Sequence, residues 1–125
     1  MIVNGALTRY PNVRFIFTHS GGTMPMLVSR IDGLLPKELA GEKAPNGVPA
    51  EVKKLYFDVA NGANPASLSA LMNTVPASQV LFGSDFPFVR ISATIEGLAG
   101  YKFSARDMAA INRENALRLL PRLKG

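Results

Sequence analysis

The sequence predicts an α/β fold of three parallel strands alternating with helices, and three observations predict it. Short runs of β-branched and aromatic residues recur at VRFIFT (13–18), LYFDVA (55–60) and QVLF (79–82). The stretches between them place apolar residues at helical rather than alternating spacing. Each run also ends near a polar group, His19, Asp58 or Asp85, where parallel α/β folds carry their reactive side chains. Strands that alternate with amphipathic helices imply βαβ units, because parallel neighbours need a long crossover between them.

Taken in order, residues 1–10 place Ile2, Val3, Ala6 and Leu7 at helical spacing and stop at Pro11, so they read as the last turns of a helix. The run 13–18 suits a strand covered on both faces, and Ser20-Gly21-Gly22 breaks it. Met24, Leu27, Val28, Ile31, Leu34 and Leu35 then fall at offsets 0, 3, 4, 7, 10 and 11, a helix with one buried stripe. Pro25 fits its first turn, where a missing amide hydrogen costs little, and Pro36 closes it. Residues 37–50 are polar and turn-rich and read as a long loop, with a short helix from about Pro49 to Lys54.

After the second strand, Asn64-Pro65 is a helix start, cap then first-turn proline. Leu68, Leu71, Met72 and Val75 supply its stripe. The third strand, 79–82, leads into Gly83-Ser84-Asp85-Phe86-Pro87. Ile91 to Leu98 reads as a helix weakened at its end by Gly97 and Gly100. Ser104-x-x-Asp107 resembles a capping box with a shorter acid, and helix continues through Arg113 to Leu120.

At 125 residues, 47% hydrophobic and 18% charged, residues 1–125 read as a single globular domain with a real core. There is no cysteine, so disulfides and thiolate metal sites are excluded and any metal must take oxygen or imidazole ligands. No apolar run reaches the roughly 18 residues that mark a membrane span, and no signal peptide is visible, so a cytoplasmic location is expected. The net charge of +5 gathers near the C-terminus, in Arg106, Arg113, Arg118 and Arg122 among others. These alternate with Met108, Ile111, Leu117 and Leu120 and lack interleaved aromatics. They read as the solvated face of helices rather than a nucleic-acid surface.

Of the three strand-end groups, Asp85 carries the strongest signal. Phe86-Pro87 makes helical geometry directly after it awkward, which argues against a helix-capping role. His19 is the only histidine, and an imidazole there could be structural or functional. Asp58 reads as structural, capping the Asn61-Gly62 turn or the next helix. Neighbouring strands place the first and third roughly 10 Å apart at the backbone, a gap that inward-tilted side chains could close. Ser84 lacks the G-x-S-x-G elbow of a nucleophile. The HSGG turn lacks the companions of a nucleotide-binding loop.

These residues also carry a resemblance. YPNVRFIFTHSGGTMP, LYFDVA, QVLFGSDFPF and NRENALRLL closely resemble the C-terminal half of amidohydrolase-related enzymes. The branch is the one that includes aminocarboxymuconate-semialdehyde decarboxylase and the resorcylate- and methylsalicylate-type decarboxylases. The resemblance covers nearly the whole chain. It implies part of a (β/α)₈ TIM barrel, with these motifs on strands six, seven and eight. It implies that His19 is an acid/base group or metal ligand. It implies that Asp85 binds a divalent metal, commonly zinc or manganese, that Asp58 has no firm catalytic role, and that Asn115-Ala116 is a structural signature.

The family's metal site also uses an H-x-H pair on the first strand and a histidine on the fifth, and a chain with one histidine holds none of these. Two expectations follow. The first is the C-terminal portion of a metal-dependent hydrolase or decarboxylase acting on a small aromatic or carboxylic-acid substrate, with little activity and no tightly held metal as a lone polypeptide. The alternative is a catalytically dead half-barrel that binds itself or a partner through open sheet edges. Both make a homo-oligomer, or pairing with a missing N-terminal half, the expected state; neither calls for nucleic acid or membrane.

Overall fold

The computed structural model describes residues 1–124. Three short strands, β1 (Ile16–Phe17), β2 (Tyr56–Asp58) and β3 (Val80–Leu81), form one parallel sheet in the order β1-β2-β3. Register pairs Phe17 with Phe57 and Asp58 with Leu81. The ladder extends beyond these bounds through Tyr56 N–H to the Phe15 carbonyl (2.9 Å) and Val59 N–H to the Leu81 carbonyl (3.1 Å). Central β2 alternates along its length. Leu55, Phe57 and Val59 are buried while Tyr56 and Asp58 are half-buried, as a strand with one apolar face requires.

The first ten residues form a 3₁₀ turn, Ile2–Asn4, and a single helical turn α1, Ala6–Arg9, broken by the left-handed Gly5. Helix α2 spans Met24–Leu34 with Pro25 in its first turn and extended backbone at Leu35 before Pro36. Its expected stripe is only partly covered. Val28 is buried and Met24 and Ile31 are half-buried, but Leu27 and Leu34 are exposed.

The expected loop over 37–50 is the main correction. Its first half is a helix, α3 (Lys37–Lys43), while the short helix expected from about Pro49 is present as α4 (Val48–Val52). Lys, Glu, Leu and Ala in 37–43 are good helix formers. The start of α4 is satisfied from a distance, because Asp32 Oδ1 on α2 accepts the Val48 N–H at 2.7 Å. A cap supplied from sixteen residues upstream leaves no local signature. The same carboxylate packs against left-handed Gly47.

Helix α5 (Pro65–Met72) starts as expected, with Asn64 Oδ1 accepting the Ser67 N–H at 3.0 Å. Leu68 and Leu71 reach the core completely, each contributing on the order of 1.5–3 kcal/mol by burial. Helix α6 (Ile91–Gly100) passes through both of its glycines. A Cβ at Gly97 would collide with the Ala63 carbonyl, so that glycine lets the helix lie against the loop after β2. Helix α7 (Ala105–Ala109) opens on the Ser104 cap. Its Oγ accepts the Asp107 N–H at 3.1 Å and donates to Asp107 Oδ2 at 2.8 Å. A π turn, Ala110–Glu114, then joins α7 to α8 (Asn115–Leu119).

The two sheet edges differ. Along β3, Phe82 donates its N–H to the Ile111 carbonyl in the π turn (2.9 Å), so the closing helices partly cover that edge. Along β1, Val13, Ile16 and Phe17 are exposed (49%, 46% and 36%). The expectation of a first strand covered on both faces is therefore corrected. β1 is an edge strand, and its run meets the core through Phe15, half-buried against it, and through Phe17, stacked on Phe57 at 5.9 Å.

Asn115 fastens the closing helices to the sheet. Buried completely, its Nδ2 donates to the carbonyls of Ala77 (2.8 Å) and Val80 (2.7 Å), and its Oδ1 accepts from Arg118 Nη2 (2.6 Å). This is the structural role that the NRENALRLL signature implied. Replacing it takes this donor from the buried Val80 carbonyl and leaves the Ala77 carbonyl with the Val80 N–H alone, and a buried group so stranded costs about 1–3 kcal/mol. Asn115→Ala is expected to lower the urea unfolding midpoint by an amount equivalent to about 3 kcal/mol, while exposed Asn112→Ala leaves it within about 0.5 kcal/mol.

Candidate active site

Parallel strands bring their C-terminal ends to the same edge of the sheet, and the polar strand-end groups gather there. β1 runs into the turn Thr18–Gly22, in which His19 and Ser20 both hold left-handed backbone, φ 58° and 55°. Such values are uncommon outside glycine and persist where surrounding contacts enforce them. Within the turn, Gly21 N–H donates to the Thr18 carbonyl and Gly22 N–H to the His19 carbonyl, both at 2.9 Å. Two bonds tie it to the end of β2. Buried Ser20 Oγ donates to the Gly62 carbonyl at 3.1 Å, and His19 N–H donates to Asp58 Oδ1 at 3.2 Å.

β3 runs into Gly83-Ser84-Asp85, where Asp85 is again left-handed at φ 60°. Its carbonyl accepts the N–H groups of Phe88 (2.9 Å) and Val89 (3.1 Å), and Ser84 Oγ accepts that of Phe86 (3.3 Å). The Phe86–Pro87 peptide is cis. Helix α6 takes Arg90, not Asp85, as its N-cap, so the Asp85 carboxylate is not a helix cap.

The two strand-end groups singled out in the sequence therefore meet. His19 Nε2 lies 3.5 Å from Asp85 Oδ2, with the two side chains 46% and 25% exposed. The Thr18 hydroxyl stands 2.6 Å from His19 Nδ1 and shares a hydrogen bond with it, leaving Nε2 as the nitrogen that faces the carboxylate. A separation of 3.5 Å exceeds that of a strong hydrogen bond, so both groups are open to a third that lies against them.

Asp58 does not join this pair. Its Oδ1 accepts from Ala60 N–H at 3.0 Å as well as from His19 N–H, so it fixes the backbone under the histidine. Capping of the next helix falls to Asn64 instead. The sequence reading missed Thr18, Ser20, Gly62 and Gly83, which shape the pair without belonging to it. The available signal was the pattern of small or polar residues around each strand end, HSGG, NG and GSD, where left-handed backbone is affordable.

The donors present do not make a metal centre on their own. Among the described residues there is no group of three or more His, Cys, Asp or Glu side chains placed to hold an ion. His19 and Asp85 offer one imidazole and one carboxylate, where a catalytic zinc centre uses three protein ligands. No helix among the described residues is long and apolar enough to cross a membrane.

A parallel β/α segment with imidazole and carboxylate at its C-terminal strand ends has the form of one side of a barrel-enzyme site. Comparison with known proteins gives that class a family. The model of the Amidohydrolase family matches residues 1–122, and the chain belongs to this family. It is 35% identical over 130 residues to a 6-methylsalicylic acid decarboxylase of Penicillium expansum, covering 100% of this chain and 40% of that protein.

Among solved structures it superposes on 2,6-dihydroxybenzoate decarboxylase from Rhizobium with a TM-score of 0.83, at 22% identity over 99% of this chain and 39% of that one. It also superposes, with a TM-score of 0.80, on a dihydroxybenzoic acid decarboxylase from Polaromonas solved with bound manganese and 2-nitroresorcinol. That match is at 20% identity over 99% of this chain and 38% of that one. The chain thus spans about 40% of the length of the proteins it matches, and its three strands correspond to part of a TIM barrel.

The close fit of the β2 end against the His19 turn gives a direct test. A Cβ on Gly62 would lie 2.6 Å from Ser20 Oγ and 2.8 Å from the His19 carbonyl carbon. Overpacking of this kind costs about 1–3 kcal/mol. Gly62→Ala is expected to destabilise by that amount in urea unfolding and to shift the His19 ring signals in the NMR spectrum. Gly41→Ala, where a Cβ on α3 meets nothing within 4 Å, is expected to be neutral or to stabilise by up to about 1 kcal/mol.

Proposed function

We propose that this chain is the C-terminal part of a metal-dependent amidohydrolase-family decarboxylase that acts on a small aromatic carboxylic acid. The observation that carries the reading is the 3.5 Å approach of His19 Nε2 to Asp85 Oδ2 at the strand ends. It gains support from the 35% identity to a 6-methylsalicylic acid decarboxylase along the whole chain. Loss of carbon dioxide from an aromatic acid breaks the bond between ring and carboxylate and leaves an electron pair on the ring carbon, which must take up a proton. His19 is the proton-transfer group for that step. Its Nδ1 is engaged by Thr18, and its Nε2 faces the Asp85 carboxylate.

Asp85 is the one carboxylate ligand this chain offers to a divalent metal, zinc or manganese, whose remaining donors lie outside residues 1–125. The isolated polypeptide is accordingly expected to bind metal weakly and to turn over little. In the native assembly purified from its source, His19→Gln is expected to lower kcat for hydroxybenzoic acids by about 10²–10⁴. Asp85→Asn is expected to lower bound metal measured by elemental analysis. A native assembly with neither metal nor decarboxylation of such acids would remove the reading.

The exposed edge strand favours a second reading, a half-barrel whose role is association. Val13, Ile16 and Phe17 present apolar side chains along β1, an edge strand of the sheet among the described residues, a template for strand pairing with a second copy or another chain. Light scattering is expected to return a mass above that of one chain. A monodisperse monomer that stays so at high concentration is incompatible with this role.

A further inference from the structure

We propose that Asp58 is a positioning residue that holds His19 in its left-handed backbone conformation and so aims the imidazole at Asp85. The catalytic consequence rests on the function proposed above; the geometry does not. His19 sits at φ 58° with no glycine freedom, so something outside it must hold the conformation. Its N–H has one partner, Asp58 Oδ1, thirty-nine residues away on the neighbouring strand. The same oxygen also accepts the Ala60 N–H at 3.0 Å, which fixes the carboxylate relative to its own strand.

From the third strand, Gly83 closes against the carboxylate. A Cβ there would lie 3.1 Å from Asp58 Cβ, Cγ and Oδ1 alike. Asp58 thus lies between the loop that carries His19 and the loop that carries Asp85, and among the described residues it shares no hydrogen bond with the ring or the carboxylate of the pair. A group at this place acts through the histidine rather than on substrate. Both of the bonds it accepts run from backbone N–H groups to its carboxylate, at 3.2 and 3.0 Å.

The arrangement also explains why small residues flank the site. Ser20, buried beside His19, bonds the Gly62 carbonyl, so the turn is gripped at two successive residues from the end of β2. Only the grip at His19 involves a charged side chain, and only it lies on the residue whose ring must be aimed.

The test uses the fact that His19 is the sole histidine, so its ring gives one unambiguous set of NMR signals. The readouts are amide hydrogen exchange at His19 and Ala60, and the displacement of the His19 ring signals when Asp85→Asn is added. Asp58→Asn keeps an oxygen acceptor and is expected to keep both amides protected within about threefold of wild type and to keep the ring response. Asp58→Leu removes the acceptor and is expected to speed exchange at both amides about tenfold or more, the equivalent of one net hydrogen bond, and to abolish the ring response to Asp85→Asn.

Unchanged signals from Leu68 and Val80 in the core distinguish this from loss of fold. Gly83→Ala displaces the Asp58 carboxylate without removing it. It is expected to give the same changes in smaller degree, which keeps the test decisive if the leucine variant does not fold. A ring that responds to Asp85→Asn in Asp58→Leu as fully as in the wild type overturns the proposal, and where the leucine variant is unfolded, so does Gly83→Ala with a ring response and exchange at His19 and Ala60 equal to wild type. None of these readouts needs metal or substrate, so absence of decarboxylation removes the functional reading and leaves this one standing.

Discussion

Everything at the candidate site depends on three strands running in parallel with β2 in the middle. Parallel pairing sends each chain out of the sheet at the same edge, and the register Phe17–Phe57 and Asp58–Leu81 sets how far each loop projects. His19 follows Phe17 by two residues and Asp85 follows Leu81 by four. Two side chains that are two strands apart can meet only if both loops turn inward immediately after leaving the sheet. Left-handed backbone at His19, Ser20 and Asp85 makes those turns, and close packing through Gly62 and Gly83 leaves room for them.

That constraint explains which parts of the structure were legible in the sequence. The strands were readable because Phe57, Val59, Val80 and Leu81 are buried and apolar, and buried strands leave continuous hydrophobic runs. The caps at Asn64 and Ser104 were readable because donor and acceptor lie three residues apart. The pair His19 and Asp85 was readable because both stand where a strand ends. What escaped notice was long-range. The cap that Asp32 provides to Val48, and the grip of Asp58 on His19, each join residues from different elements. Sequence spacing holds no record of such contacts. The same holds for β1, whose exposure follows from its place at the sheet edge and not from its composition, which matches that of a covered strand.

The composition then limits the chemistry. One histidine and two strand-end aspartates are too few to hold a catalytic metal, and one of the aspartates is already committed to backbone. Relatives of the same family are about two and a half times as long as this chain by the share of them it spans. Under the function proposed above, the residues here would form one face of a shared site, with His19 as its proton-transfer group, Asp85 as one anionic ligand and Asp58 holding the histidine in place. Such a division has a physical logic. A side chain that must move a proton needs exposure and a fixed direction, which His19 has through Thr18 and Asp58. A ligand carboxylate needs a fixed backbone and a free head, which Asp85 has through the bonds to its carbonyl.

Asp58 separates two ways in which a strand-end carboxylate can serve a barrel enzyme. By position alone it equals Asp85, since both follow buried apolar residues at the same edge of the sheet. What differs is how the backbone beneath each one is satisfied. Asp85 sits on a turn closed by its own carbonyl, so its carboxylate is left over. Asp58 is still within β2, where the N–H groups of Ala60 and His19 need an acceptor and find it in Oδ1. Backbone donors left without partners are costly where they are buried, as Ala60 is, so that need takes Oδ1 before any ligand can. In this fold, the assignment of a carboxylate to chemistry or to structure is therefore decided by the local count of unpaired N–H groups.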